Sequence, residues 1–337
     1  MPVTTPTLDF AIEIEALTKR FGKQIAVNNI DLAVPRGAVF GFLGPNGSGK
    51  TTSIRMLLGL VQPTSGRVHV LGKSMPDHLR TVLPQVGALV EGPAFYPFLS
   101  GVENLRRYDS ADRHASSRSR ATRIAAAIER VGLSNAANKK VHAYSLGMKQ
   151  RLGIANALLR PRELLILDEP TNGLDPQGTR EVRTLVSSLA AEGVTIFVSS
   201  HLLSEVAQMC THAAVMSAGN IVAQGTLDEL RGTDSARVRV LTPDVVEAVN
   251  TLARLGLDAA LTADDRAAPS RFGLDAAPQG RPAEWVVATI AGKPMEPEVI
   301  STALMNAGVR LRGFSVEEPS LEERFVELTG EGFDVVQ

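Results

Sequence analysis

Short apolar runs alternate with helical patterns from Ile12 to about Leu230. Continuous apolar runs of this kind are typical of parallel strands that are buried on both faces. Three of the runs are followed directly by candidate functional residues. Val39–Leu43 precedes a glycine-rich segment, Leu164–Leu167 precedes Asp168-Glu169, and Thr195–Val198 precedes Ser199-Ser200-His201. The pattern therefore predicts an α/β domain whose parallel strands carry functional groups at their carboxyl ends.

Two neighbouring regions have different patterns. Residues 12–34 include stretches that alternate apolar and polar positions, which predicts an antiparallel β part beside the parallel core. Residues from about Val102 to Ala143 are helical in pattern and strongly basic, but no aromatic residues interleave to stack bases. We therefore expect a solvated surface there rather than a nucleic-acid contact. The basic residues are Arg106, Arg107, Arg113, Arg118, Arg120 and Arg123.

The pattern changes after residue 232, which predicts a second α+β domain over residues 233–337. We expect strands at Val238–Leu241, Trp285–Ile290 and Leu311–Val316, and helices beginning near Thr242 and over Glu298–Asn306. The order β-α-(β)-β-α-β suggests a small ferredoxin-like sandwich. Composition indicates a loop at about residues 262–283, and a capping box of Ser320 and Glu323 predicts a last helix. Residues 1–11 are an N-terminal extension in this scheme.

Composition narrows the classes of protein to consider. A chain of 337 residues favours about two domains, and a net charge of −1 gives no bulk electrostatic case for nucleic acid or an anionic membrane. A single cysteine, Cys210, excludes an intramolecular disulfide and fits a reducing compartment. The chain shows neither a signal-peptide pattern nor an apolar run of the ~18–20 residues that span a bilayer. We expect a soluble, cytoplasmic protein.

Residues 44–51 read Gly-Pro-Asn-Gly-Ser-Gly-Lys-Thr, a complete phosphate-binding loop between a strand and a helix. Its glycines let successive N–H groups point at an anion, with a helix N-terminus behind them. Lys50 can reach the β- and γ-phosphates, and the Thr51 hydroxyl can ligate Mg²⁺. The segment predicts binding of a nucleoside triphosphate, against the alternative of an ordinary glycine-rich turn.

Two further segments complete a candidate hydrolytic site. Asp168 can hold Mg²⁺, and Glu169 can take the proton of an attacking water. An apolar strand that ends in Asp-Glu is a weak signal alone, but it becomes specific after a phosphate loop. Tyr144–Arg151 reads Tyr-Ser-Leu-Gly-Met-Lys-Gln-Arg, in which Ser145 stands where a helix cap would stand. Taken alone, this second segment favours an ordinary capped helix.

The ordered set of motifs resembles the nucleotide-binding domain of ATP-binding cassette (ABC) transporters over about residues 12–232. The resemblance implies a P-loop NTPase fold with a parallel core sheet, an antiparallel β part and a helical subdomain at about 92–160. It rests on the phosphate loop 44–51, the signature 144–151, Asp168-Glu169, the Gly173-Leu174-Asp175-Pro176 loop and His201.

The resemblance also implies residue roles. Phe21 would stack on adenine with Val27 nearby, and Glu169 would be the general base. His201 would bridge the γ-phosphate and water, and Asp175 would couple two active sites across a dimer. Ser145 and Gly147 would face ATP that is bound to a second subunit. The remaining nucleotide contacts come from the loop and the start of its helix: Asn46, Gly47, Ser48, Gly49, Lys50, Thr51 and Thr52.

Two departures from the family pattern point to a subgroup. The signature has Leu146 and Met148 where a glycine and a glutamine are common. Glu91 stands where the family usually has a glutamine that contacts Mg²⁺ and water. We therefore assign Glu91 the catalytic and metal-contacting role of that glutamine. Both variants are similar to ATPase subunits of bacitracin- and daunorubicin-resistance-type exporters. The tail from Pro319 to Phe325 is similar to theirs too.

The resemblance implies an ATPase that uses ATP and Mg²⁺ and forms a dimer with a second copy or a paralogue. Separate transmembrane permease subunits would hold it at the inner face of the cell membrane and export a drug-like, lipophilic or peptide compound. No nucleic-acid partner is expected. Two alternatives stay open: a soluble ABC ATPase that acts on ribosomes or DNA, and a regulatory ATP-binding module that does not hydrolyse.

Overall fold

The computed structural model describes residues 9–92, 94–112, 115–231, 236–261, 284–290 and 296–317. The chain divides into two compact units between Leu227 and Asp228. Several predicted features lie outside the described residues: the loop at 262–283, the last helix with Ser320 and Glu323, the tail from Pro319 to Phe325, and Arg113.

The first unit contains two sheets and most of the helices. Its strands are β1 (Phe10–Phe21), β2 (Gln24–Pro35), β3 (Val39–Leu43), β4 (Ser65–Val70), β5 (Lys73–Met75), β6 (Val86–Leu89), β7 (Leu164–Asp168), β8 (Thr195–Ser200), β9 (His212–Ser217) and β10 (Asn220–Thr226). Its helices are α1 (Lys50–Leu57), α2 (Leu79–Val82), α3 (Gly101–Ala111), α4 (Arg120–Arg130), α5 (Leu146–Ala157), α6 (Pro176–Ala191) and α7 (Leu203–Met209), and α8 (Leu227–Arg231) follows at the boundary.

The predicted parallel core is confirmed. Six strands form one sheet in the order β10-β9-β3-β8-β7-β6, in which β9, β3, β8, β7 and β6 are parallel and β10 is antiparallel. Every residue of β3, β7 and β8 is buried, as expected for strands covered on both faces. In the register of the sheet, Leu43 lies opposite Ser200 and Asp168 lies opposite Ser199. The three strands therefore end at one edge.

The predicted antiparallel part is confirmed as well. Strands β2, β1, β4 and β5 form a second sheet in that order, and all three pairings are antiparallel. Its inner face shares one hydrophobic core with the parallel sheet and α1, in which Leu17, Phe42, Ile54 and Phe197 are fully buried. This shared core fixes the antiparallel sheet beside the phosphate loop.

The basic helical region only partly matches its prediction. Arg106, Arg107 and Arg118 are exposed, as expected for a solvated surface. Arg120 and Arg123 instead pair with the buried carboxylate of Asp109 at 2.9 and 2.8 Å. A buried carboxylate needs charged and hydrogen-bonding partners. These two arginines therefore join α4 to α3, a role that a charge pattern alone does not reveal.

The second unit has its own sheet and its own core. It contains β11 (Ala236–Thr242), α9 (Val245–Arg254), β12 (Asp258–Leu261), β13 (Glu284–Ile290), α10 (Pro297–Asn306) and β14 (Gly313–Glu317). The sheet order is β12-β13-β11-β14 and all pairings are antiparallel. Element order and pairing are those of the ferredoxin-like motif. Val238, Val240, Leu252, Val286 and Ile300 are fully buried in its core.

Two findings concern predictions made from composition, one about the single cysteine and one about membrane-spanning segments. Cys210 is a buried free thiol, and burial raises its pKa to about 12, so the reactive thiolate is disfavoured. None of the helices in the described part of the chain combines the length and hydropathy that a bilayer crossing requires.

Candidate functional site

The phosphate loop lies between β3 and α1 with the backbone that its glycines permit. Gly47 and Gly49 have φ angles of 80° and 108°, a region that other residues rarely adopt. A Cβ on Gly49 would lie 2.3 Å from the Ala26 carbonyl oxygen, so only glycine fits there. The hydroxyl of Ser48 is buried and has no hydrogen-bond partner among the described residues. The loop thus offers the backbone curl and an available donor that a phosphate group would engage.

Lys50 and Thr51 place a cation and a hydroxyl at the end of the loop. The Lys50 side chain is 5 % exposed, and its Nζ donates to the Gly44 carbonyl oxygen at 2.6 Å. The Thr51 hydroxyl donates to Oδ2 of Asp168 at 3.0 Å. A hydroxyl beside a carboxylate is the hard oxygen donor set that suits Mg²⁺, which usually keeps its other ligands from phosphates and water. These two residues fit such an ion.

Glu169 lies between a cation and an imidazole. Its Oε2 is 2.8 Å from Nδ1 of His201, and its Oε1 is 3.4 Å from Nζ of Lys50. Its φ of 49° belongs to the left-handed region, which costs a non-glycine residue about 1–3 kcal/mol and is common at functional sites. This backbone turns the Glu169 carboxylate toward the phosphate loop. The geometry suits a base that accepts a proton from water near the γ-phosphate position.

A cavity of about 330 Å³ opens over the loop. Phe21, which is half exposed, borders this cavity at the end of β1, opposite the loop. An aromatic ring here could cover the base of a nucleotide whose phosphates occupy the loop. The lining includes the predicted residues Phe21, Asn46, Gly47, Gly49, Lys50, Thr51, Thr52 and Glu169, together with Gln24, Ile25 and Ala26, which sequence reasoning missed.

Val27 does not line the cavity. It is fully buried in the core of the first unit, where a Cβ on Gly49 would lie 3.4 Å from its Cγ2. The structure therefore places Val27 behind the loop, as a support for the Gly49 backbone. Gln24, Ile25 and Ala26 border the cavity because the tight turn after Phe21 folds β2 back along β1.

Ser145, Gly147 and Asp175 lie away from this cavity. The Ser145 hydroxyl caps α5 by accepting the Met148 amide at 3.2 Å, and Asp175 caps α6 by accepting the Gly178 amide at 2.7 Å. Capping of this type satisfies amides that a helix leaves unpaired. A Cβ on Gly147 would be 3.7 Å from the Gly178 Cα, so the two helix starts adjoin each other. These residues are grouped together but separate from the phosphate loop of their own chain.

Glu91 is also outside the cavity. It follows β6 with a φ of 59°, its side chain is 57 % exposed, and its carboxylate pairs with the guanidinium of Arg55 on α1. The sequence predicted a contact with Mg²⁺ and water. In the structure the carboxylate has a cationic partner one helical turn beyond Thr51, a pairing that no sequence pattern indicated, and the contact with Mg²⁺ stays a prediction.

Comparison with known proteins decides the family. Residues 27–172 match the family described as ABC transporter. The chain is 45% identical to the bacitracin transport ATP-binding protein BcrA of Bacillus licheniformis over 65% of this chain and 71% of that protein. It is 34% identical to the daunorubicin resistance ATP-binding protein DrrA3 of Streptomyces coeruleorubidus over 96% of this chain and 97% of that protein.

The chain belongs to the ATP-binding subunits of ABC transporters. It is therefore an ATPase that binds ATP and couples its hydrolysis to transport. The fold agrees, because the structure of cbiO1 from Clostridium perfringens, part of the ABC transporter complex cbiONQ, matches with a TM-score of 0.61 and 27% identity. That match covers 74% of this chain and 98% of cbiO1. The predicted family, fold class and ATPase activity are confirmed.

Ser199 is a site residue of this ABC subunit to which sequence reasoning assigned no role, although it noted the position after an apolar run. It is fully buried at the end of β8, donates to Oδ1 of Asp168 at 2.5 Å and accepts the Glu169 amide at 2.9 Å. One hydroxyl therefore orients both acidic residues of the site. A polar residue at the end of an otherwise apolar strand is the signal that could have found it.

We predict that Ser199→Ala lowers kcat of ATP hydrolysis by about 10-fold to 100-fold, because small misplacements of reacting groups have effects of that size. The KM for ATP should change little, since the phosphate loop is untouched. Steady-state ATPase assays measure both constants. Ser188→Ala, which removes a serine hydroxyl from the last turn of α6, is the matched control. An unchanged kcat in Ser199→Ala would contradict the orienting role.

Proposed function

We propose that this chain is the ATP-hydrolysing subunit of an exporter for drug-like or peptide compounds. The relatives named for bacitracin transport and daunorubicin resistance support this substrate class, and the second of them aligns over nearly the whole of both chains. The observation that carries the enzymatic part is the position of Glu169, held between Lys50 and His201 beside the phosphate loop.

The site residues divide the work of hydrolysis. The loop amides and Lys50 hold the phosphates of ATP, and Phe21 covers the base. Thr51 and Asp168 would hold Mg²⁺, and this ion would supply positive charge to offset that of the ATP phosphates. Glu169 accepts the proton of the attacking water, and His201 orients the Glu169 carboxylate through the 2.8 Å contact. Glu169 and His201 both intact favour hydrolysis over a purely regulatory role.

We infer that the working form is a dimer. Ser145, Gly147 and Asp175 lie together at the starts of α5 and α6, away from the cavity that Lys50 lines. A second subunit, either a copy or a paralogue, would bring these residues to the γ-phosphate side of that cavity. Hydrolysis then removes the ligand that holds the two subunits together.

The membrane part of the exporter would come from separate permease subunits, which place the ATPase at the inner face of the cell membrane. The segment after Glu91 supports such a contact, since Tyr96 and Phe98 are 54 % and 75 % exposed. Buried Asn104 holds this segment by bonding to the backbone of Tyr96, with N–O distances of 2.9 and 3.1 Å. Two large apolar side chains on a fixed loop suit a protein contact.

We predict that Glu169→Gln lowers ATP turnover by about 10²–10⁴-fold, the usual cost of losing a positioned base. The variant should still bind ATP and therefore accumulate as a dimer. Light scattering after size-exclusion chromatography, with and without ATP and Mg²⁺, measures the mass. Lys50→Ala is the control that should stay monomeric. A Glu169→Gln protein that remains monomeric at saturating ATP would argue against the shared site.

Export of drug-like compounds can be tested in the cells from which the chain comes. Replacing the wild-type copy with Lys50→Ala should increase growth inhibition by bacitracin- or daunorubicin-type compounds, because a subunit that cannot engage ATP cannot drive export. Growth at graded drug concentrations is the measurement. Lys73→Ala, at an exposed lysine of β5, is the matched control. Equal drug tolerance in both variants would contradict the assignment of drug-like substrates. The assignment of ATPase activity would not be affected.

We predict that Glu91→Gln leaves the affinity for ATP nearly unchanged and alters kcat or its stimulation by the permease. The reason is that Glu91 lies outside the cavity and pairs with Arg55. The change would release the segment that carries Glu91 from Arg55 and would leave the nucleotide contacts as they are. An exposed pair adds little to stability. Arg55→Gln breaks the same pair from the other side and should have a similar effect. Wild-type rates in both variants would show that the pair has no role in turnover or its stimulation.

A further inference from the structure

A buried carboxyl group, that of Glu205, joins two segments of the active site. Glu205 lies in the first turn of α7 and is 7 % exposed. Its Oε2 accepts the Thr171 hydroxyl at 2.5 Å and the Ser200 hydroxyl at 3.0 Å. Both partners are themselves buried, at 3 % and 1 % exposure. A buried polar group normally needs such partners. Because both hydroxyls bond to the same oxygen, the Glu205 carboxyl group forms a junction between Thr171 and Ser200.

The two partners of Glu205 belong to segments with different tasks. Thr171 comes two residues after Glu169 and four before Asp175, in the segment that connects the base to the start of α6. Ser200 is the last residue of β8 and immediately precedes His201. The Ser200 hydroxyl also accepts the Leu202 amide at 3.0 Å, which fixes the turn that presents His201.

We propose that Glu205 is a positioning residue that couples the segment leading to Asp175 with the segment carrying His201. A shift of the Asp175 segment would move Thr171, and the shared oxygen would pass that shift to Ser200 and His201. The His201 imidazole would then change its distance to Glu169, with which it is in contact at 2.8 Å. The assignment rests on the ATPase activity of the chain and does not depend on the compound exported.

A merely structural role for Glu205 predicts something different. In that case the carboxyl group only caps or packs α7, and its loss would lower stability without a specific effect on hydrolysis. The geometry favours the coupling role, because both hydroxyl donors come from active-site segments rather than from α7. Glu205 also borders a cavity of about 580 Å³ together with Thr171 and His201.

The test changes the donors one at a time in the full chain. Thr171→Val keeps the size of the side chain and removes its hydroxyl, whereas Thr171→Ser keeps the hydroxyl. Thr171→Val should lower kcat of ATP hydrolysis by about 10-fold to 100-fold with little change in KM for ATP, because only the positioning of reacting groups is affected. Thr171→Ser should recover most of the activity. Thr184→Val, at an exposed threonine of α6, is the matched control and should hydrolyse ATP like the wild type.

Glu205 itself gives the second set of variants. Glu205→Gln keeps an acceptor oxygen for both hydroxyls and should retain most activity, whereas Glu205→Leu should lower kcat as Thr171→Val does. If Glu205→Leu does not fold, Ser200→Ala replaces it, because it removes the other donor. Hydrogen exchange at residues 169–175 and 200–203 should rise in Thr171→Val in both segments at once.

Three outcomes would overturn the coupling, two from the donor variants and one from Glu205→Leu. One is a wild-type kcat in both Thr171→Val and Ser200→Ala. The other is faster hydrogen exchange in Thr171→Val that is confined to residues 169–175, since a coupled segment must respond as well. A lower thermal midpoint in Glu205→Leu with unchanged kcat would likewise assign Glu205 a structural role only. None of these results depends on the membrane partner, so a failure here is distinct from a failure of the export assignment.

Discussion

The register between three parallel strands is the constraint on which the active site depends. Backbone hydrogen bonds hold β3, β8 and β7 side by side, with Leu43 level with Ser200 and Ser199 level with Asp168. The phosphate loop begins at the residue after Leu43. His201 directly follows Ser200, and Glu169 directly follows Asp168. A slip of one strand by a single residue would reverse the faces of its side chains and separate these groups. The buried apolar residues of the strands prevent that slip.

Polar groups at the strand ends add a second level of control. Ser199 connects Asp168 with the Glu169 amide, and the Glu205 carboxyl group connects Thr171 with Ser200. The first link joins β7 to β8, and the second joins the segment after β7 to the last residue of β8 through α7. In the coupling proposed for Glu205, a shift of the segment that carries Asp175 is passed to the segment that carries His201.

The sequence was most informative where a pattern has a single physical meaning. The apolar runs of β3, β7 and β8 predicted buried parallel strands, and the glycines of the phosphate loop predicted a backbone that only glycine allows. Contacts between distant residues were not predictable, because nothing in the local pattern encodes them. The pairing of Glu91 with Arg55 and of Arg120 and Arg123 with Asp109 are examples. Val27 shows the same limit, since only the packing reveals that it lies behind Gly49.

The separate core of the second unit has a consequence for how the molecule unfolds. Val240, Leu252, Val286 and Ile300 are buried among one another, so the described residues of this unit have an apolar core of their own. Chains with more than one core commonly depart from two-state unfolding. A single free energy of unfolding is then not a well-defined property of the whole chain. A ligand in the phosphate loop would stabilise the first unit, which contains that loop.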